Sequence, residues 1–309
     1  MDKRIIMKKI FSFLFVLAAL AALPGIESCQ STSKSTTSKV LKFNLQKGKG
    51  YDYAMQWDMN TKVKGQESTV AIDALYSMNV TDDNGSVKSI TTSYKRLHMN
   101  MKVMGMTIDI DSEKPFEGNG ESDITNNPLG LMNKMISGMV GKSFVVKVNE
   151  SGEVLEVSGF NKIIDDMIDS MGMGDAVKAQ AMGSMKDQFN DESLKDQFAQ
   201  IFTIFPNKEI KVGDTWQKKY STGGKMASSY TTDYTVKEID GDHVTLTTKT
   251  KIGSDGSGKE IDGSQTGNII VDSQTGLMVN AKFDQQFDVK AQGETISVTG
   301  SGKITGKAN

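Results

Sequence analysis

Tyr51-Asp52-Tyr53-Ala54-Met55-Gln56-Trp57-Asp58-Met59 decides the fold: bulky apolar residues stand at every second position, with polar or small ones between them. A β-strand turns successive side chains to opposite faces. This period of two therefore puts Tyr51, Tyr53, Met55, Trp57 and Met59 on one buried face and gives the other to water. Outward from this stretch the same alternation returns in Val70–Val80, which ends at Thr81-Asp82-Asp83-Asn84-Gly85. Asn-Gly tolerates positive φ at both positions and predicts a hairpin there. Val87–Met106 reads as one or two further strands, with a bend at Met104-Gly105-Met106, and Phe144–Val148 and Glu153–Val157 as a hairpin around Asn149-Glu150-Ser151-Gly152.

The middle of the chain changes period. Leu129–Val140 reads as a short methionine-rich helix. Residues 160–205 read as helical, because Phe160, Ile163, Ile164, Met167, Ile168 and Met171 recur at helical spacing. Met171-Gly172-Met173-Gly174 and Asn190-Asp191-Glu192-Ser193 divide this segment, Asp191 or Ser193 caps its last helix, and Pro206 stops it. From Asp214 the period of two resumes in Thr215–Tyr220, Tyr230–Lys237, Val244–Thr250, Asn268–Val271, Leu277–Phe283, Phe287–Lys290 and Thr295–Ile304. The hairpins of the two flanking regions resemble one another. The expected fold is therefore α+β, predominantly antiparallel β: two curved β-sheet halves, related by internal duplication, with a helical segment between them. The corresponding boundaries are 1–28 for a signal peptide, 29–39 for a flexible tether, 40–158 for an N-terminal β-rich half, 159–206 for the helical segment and 207–309 for a C-terminal β-rich half.

The N-terminus gives an address. Lys3, Arg4, Lys8 and Lys9 precede the apolar run Ile10–Leu23, which is shorter than the roughly 20 residues a transmembrane helix needs. Cys29 is the only cysteine in 309 residues, so no intramolecular disulfide accounts for it. Ile26-Glu27-Ser28-Cys29 resembles a lipoprotein signal box. That resemblance implies cleavage before Cys29, acylation of its sulfur, and stable anchoring through several acyl chains, each buried methylene contributing ~0.8 kcal/mol. The polar run Gln30–Lys39 would hold the folded part off the membrane. The expected location is the cell envelope, lipid-anchored, on the outer membrane and facing the periplasm. Without residues 1–28 the chain keeps 32 basic and 36 acidic residues, a net charge of −4, which speaks against nucleic acid as a partner.

Catalytic constellations are missing from the sequence. His98 and His243 are the only histidines and neither stands in a metal-ligand spacing; no GxSxG elbow, Walker loop or GxGxxG occurs. The carboxylates of Asp82-Asp83-Asn84-Gly85 and Asp255-Gly256-Ser257-Gly258 read as turn formers rather than a calcium loop. Methionine is abundant, at 19 residues. Met99, Met101, Met104 and Met106 form two MxM pairs that could hold Cu(I) or fill a strand face. Met132, Met135, Met139, Met167, Met171, Met182 and Met185 lie on predicted helices, where they either pack as core or line a pocket for an apolar ligand.

Phe205-Pro206-Asn207-Lys208-Glu209-Ile210-Lys211-Val212-Gly213-Asp214-Thr215-Trp216, with Tyr51, Tyr53 and Cys29, resembles a functionally uncharacterised family of bacterial lipoproteins. That resemblance implies no activity and no catalytic residues. The expectation is a non-enzyme without cofactors: an envelope lipoprotein that touches the membrane through its anchor and binds an apolar small molecule or lipid. The alternatives are a structural or assembly protein docking on another envelope protein and, behind it, a hydrolase or copper binder.

Overall fold

The computed structural model describes residues 38–103, 105–114, 128–170, 174–175, 178–179, 190–202, 204–222, 228–254, 260–291 and 293–309. Period-two patterning becomes strands almost everywhere it occurs. In chain order the elements are β1 (Lys39–Val40), β2 (Gly50–Val63), β3 (Gln66–Asp83), β4 (Val87–Val103), β5 (Met106–Asp111), α1 (Pro128–Met139), β6 (Ser143–Asn149), β7 (Val154–Ser158), α2 (Phe160–Ser170), α3 (Asp191–Phe202), β8 (Glu209–Ile210), β9 (Thr215–Thr222), β10 (Ser228–Asp240), β11 (His243–Ser254), β12 (Glu260–Asp272), β13 (Met278–Ala291) and β14 (Glu294–Ala308). β1 and β8 pair separately. The rest form one twelve-stranded antiparallel sheet in the order β7-β6-β4-β3-β2-β14-β13-β12-β11-β10-β9, with β5 added to β4.

This corrects the expectation of two sheet halves with helices between them. β14 pairs with β2 from Ile296↔Val63 to Ala308↔Tyr51, so the two regions run into each other without a break. Each would otherwise end in a long edge strand with a row of unsatisfied backbone groups, and the pairing removes both edges. The helical segment is intermediate in sequence only. One core cluster draws Tyr53, Phe144, Phe160, Phe198, Leu246 and Ile304 from both regions and from α2 and α3, so the sheet curls around a single interior. α3 packs against β7 and β9, the two strands at opposite ends of the sheet order, and so fills the seam of an incomplete barrel.

One end of this barrel is strapped. Residues 41–49 cross it, with Leu41 N–H donating to Lys208 O (3.4 Å), Phe43 N–H to Glu150 O (3.2 Å) and Asn44 N–H to Thr275 O (2.8 Å). Leu41, Phe43 and Leu45 point inward and are at most 1% exposed. The helix caps also differ from expectation. Asn190 caps α3, its Oδ1 accepting from Ser193 N–H at 2.8 Å while Ser193 Oγ accepts from Asn190 N–H at 3.0 Å. Asp191 instead accepts from Phe160 and Asn161 N–H, at 2.9 and 3.2 Å, and so caps α2.

Candidate functional site

Three adjacent inward-facing rows cross β2, β14, β13, β12, β11, β10 and β9, and they differ in chemistry. The first runs Trp57–Gly302–Phe283–Gly267–Thr248–Tyr234–Trp216, each residue opposite the next. Its glycines have a steric reason. A Cβ on Gly302 would lie 2.4 Å from the Trp57 ring, and one on Gly267 2.6 Å from the Phe283 ring. Each ring therefore lies flat across the bare backbone of the neighbouring strand. The third row holds Val298, Phe287, Ile252, Tyr230 and Tyr220 and is apolar again. Between them runs a polar row, Gln285–Gln265–Thr250–Thr232–Lys218.

Above the first row lies a cavity of about 80 Å³, walled by Met55, Trp57, Ile201, Tyr234 and Phe283, with Thr232, Thr248, Gln197 and Gln265 as polar members. A water needs ~10–15 Å³ on this measure, and a benzene ring is held in roughly 150 Å³, so the space suits a short chain of a few carbons better than a ring. Its polar groups are incompletely satisfied. Thr232 and Thr250 hydroxyls lie 2.9 Å apart and Thr250 donates to Gln265 Oε1 at 2.6 Å. Trp57 Nε1, Thr248 Oγ1 and both amide atoms of Gln285 have no hydrogen-bond partner among the described residues, although these side chains are at most 4% exposed. Each such orphan costs about 1–3 kcal/mol. The second tryptophan is anchored, its Nε1 donating to Ile204 O at 2.9 Å.

The methionines singled out in sequence take other places. Met135 and Met167 are buried in the main core, and Met139 packs against it half-buried. Met132 joins Val70, Met99, Met101, Ile108 and Ile110 in a separate cluster. None of these four helical methionines lines the cavity, which takes Met55 and Met278 instead. Met106 is exposed. Cys29, Met104, Met171, Met182, Met185 and residues 255–258 lie outside the described residues. Asp83 and Asn84 accept from the Gly85 and Val87 N–H groups at 2.9 and 2.8 Å, which is turn chemistry.

A charged ladder on the outer face was not anticipated. His98 on β4 lies between Asp73 on β3 (Nδ1 to Oδ2, 3.1 Å) and Asp109 on β5 (Nε2 to Oδ1, 2.7 Å). Arg96 grips buried Asp111 through Nη2 at 2.7 Å and Nε at 3.2 Å, which holds that carboxyl well below the usual carboxylate range. Burial alone would lower the His98 pKa, but hydrogen bonds to Asp109 and Asp73 outweigh it, and the value is raised. Every member of the ladder is paired within it, which makes it a strand clamp. His243 is exposed at the start of β11.

Polarity of the faces bears on membranes. Outward positions carry exposed Asp58, Lys62, Lys249, Lys251, Lys282 and Lys303, whereas a membrane-spanning barrel turns an apolar band outward. Among the described residues no helix is long and apolar enough to cross a membrane. Among the described residues, the exposed large apolar side chains are Val40, Met106, Leu155 and Val212, on four different segments. A broad depression of about 860 Å³ is mixed in character, with charged Asp58, Lys102 and Asp284 beside apolar Met59, Val70 and Ala71, and with Gln265 and Gln285 of the polar row in its lining.

Comparison with known proteins gives a family match and distant structural likenesses. A family described as a family of unknown function, DUF6263, matches residues 85–278. No curated protein matches. Among solved structures, the chain is similar to the translocator domain of the autotransporter NalP from Neisseria meningitidis at 5% identity and a TM-score of 0.32, covering 83% of this chain and 88% of that one. It is also similar to an outer membrane channel from Pseudomonas putida F1 at 8% identity and a TM-score of 0.28, covering 91% and 100%. At such TM-scores neither bears on what this chain does.

Proposed function

The chain belongs to DUF6263, a family of unknown function, so its role must be sought in its own geometry, and we propose that it is a non-enzymatic, lipid-anchored envelope protein that holds an apolar molecule inside its curled sheet. The observation that carries this is the apolar cavity with unpartnered Trp57 Nε1 and Thr248 Oγ1 on its wall. A slim apolar body would replace cavity surface by contact. One acceptor on it would take the indole N–H, and one donor or acceptor would meet the threonine hydroxyl. Apolar walls with a few convergent polar groups are the usual make-up of a small-molecule site. Anchorage and envelope address are supported by residues 1–29, with their basic start, apolar run and lone Cys29. Docking on an envelope protein is the less supported use, because the broad depression carries charged Asp58, Lys102 and Asp284 and interfaces are depleted of charge at their centre.

Full-length protein purified from its membrane fraction, extracted with organic solvent and analysed by mass spectrometry, should release an apolar compound close to one per chain. Covalent acyl groups at Cys29 stay with the protein and are not counted. Trp57→Phe keeps a ring and removes the N–H donor; its occupancy should fall several-fold, in line with the roughly 1 kcal/mol net worth of one hydrogen bond. A wild-type extract with no compound near stoichiometry, together with no binding of an added short-chain probe, would sink the proposal.

A further inference from the structure

Trp216, Lys218 and Tyr220 alternate along β9 and so share one face. That face is the interior. Trp216 stacks on Tyr234 with ring centroids 5.4 Å apart, and Tyr220 on Tyr230 at 4.7 Å. Lys218 therefore enters the barrel between two aromatic stacks, opposite Thr232, which lines the cavity. It stands at the end of the polar row whose far member, Gln285, has both amide atoms unpartnered. Among the described residues no carboxylate forms an ion pair with Lys218. Burial lowers its pKa, against a smaller opposing influence from Glu153 on the turn before β7.

We propose that the interior site is selective for a short-chain carboxylate, with Lys218 as the cation that receives the head and the apolar cavity as the seat of the chain. This assignment rests on the interior-binding reading above and adds the chemistry of the head group. One lysine matches one negative charge. The neighbouring Thr232 hydroxyl and the amide row supply hydrogen-bonding capacity beside it, and a partly desolvated ammonium gains most from a counter-charge that arrives with the ligand. An inward lysine on an edge strand also discourages the addition of foreign strands. That role would not distinguish an acid from its ester, and the test turns on this difference.

The test titrates full-length protein with butyrate and with methyl butyrate, following heat by isothermal calorimetry. Wild type should prefer the acid by about tenfold, the scale of one charge-assisted hydrogen bond. Lys218→Met should bring the acid-to-ester ratio to near one, and Lys218→Arg should keep the preference. Circular dichroism of both variants confirms that β9 still folds. Wild type that binds acid and ester equally overturns the carboxylate assignment while leaving interior binding in place. So does a wild-type preference that persists in Lys218→Met. Wild type that binds neither probe removes the interior-binding reading and this assignment with it.

Discussion

Gly152, in the β6–β7 turn, has φ of 76°, and a Cβ there would lie 1.9 Å from Phe202 O and 2.7 Å from the Phe205 ring. It meets two demands at once, a left-handed backbone and the end of α3 pressed against it. Gly152→Ala should destabilise the protein by about 2–4 kcal/mol, combining the left-handed penalty with overpacking. Gly65→Ala, at φ of 79° with nothing within 4 Å, should cost only about 1 kcal/mol. Urea denaturation midpoints of the two variants check this, and equal losses would contradict it. Residues of this kind also mark what the sequence can show. Gly85 and the turn at Gly152 are legible because the left-handed turn is a matter of four residues of chain, whereas the approach of Phe202 and Phe205 to Gly152 is not. Gly267 and Gly302 are not legible, because each is required by a ring on the adjacent strand, Phe283 or Trp57. Lys218 carried a usable signal, a lysine in register between Trp216 and Tyr220.

On the scale of elements, β3, β4 and β5 are clamped on their outer face by Asp73, His98 and Asp109. The raised His98 pKa has a definite sign in stability. Its folded value lies above the unfolded value of about 6.5, so the contribution is fully present below that pH and is lost as pH rises through the folded value. Thermal midpoints at pH 6 and pH 8.5 should therefore differ, the latter being lower, and His98→Asn should flatten the difference. A wild-type midpoint that does not fall over this range would refute the clamp. Element existence was largely legible, since a period of two or of 3.6 is a local property. Extents were less so. Phe283 and Phe287 look like parts of two strands because Asp284-Gln285-Gln286 interrupts the apolar residues, yet β13 runs unbroken from Met278 to Ala291. It is paired along its length by β12 and β14, so the backbone ladder holds it extended whatever the side chains.

Across the whole molecule, the β2–β14 ladder makes one cooperative body of what reads in sequence as two. Trp57 belongs to the first region and Trp216 to the second, and they are the only tryptophans. Fluorescence of Trp216→Phe then reports β2, and fluorescence of Trp57→Phe reports β9. Allowing for each substitution's own effect, judged by circular dichroism of the same variant, each fluorescence midpoint should coincide with that variant's loss of strand signal. A fluorescence transition clearly separate from it would show two units. No local pattern announces the β2–β14 pairing, because its partners are separated by well over two hundred residues; the repeated hairpins instead suggest separate halves. The strap has a related consequence, in the order of events. Leu41, Phe43 and Asn44 are made early, but their backbone partners are Lys208, Glu150 and Thr275, and β2 must wait for β14. A polypeptide growing from its N-terminus can assemble hairpins as it lengthens, but it cannot close until β14 has been delivered. The strap and the β14-facing edge of β2 stay unsatisfied until then, and such long-range closure makes for slow folding. A chain of this design remains threadable until it is complete.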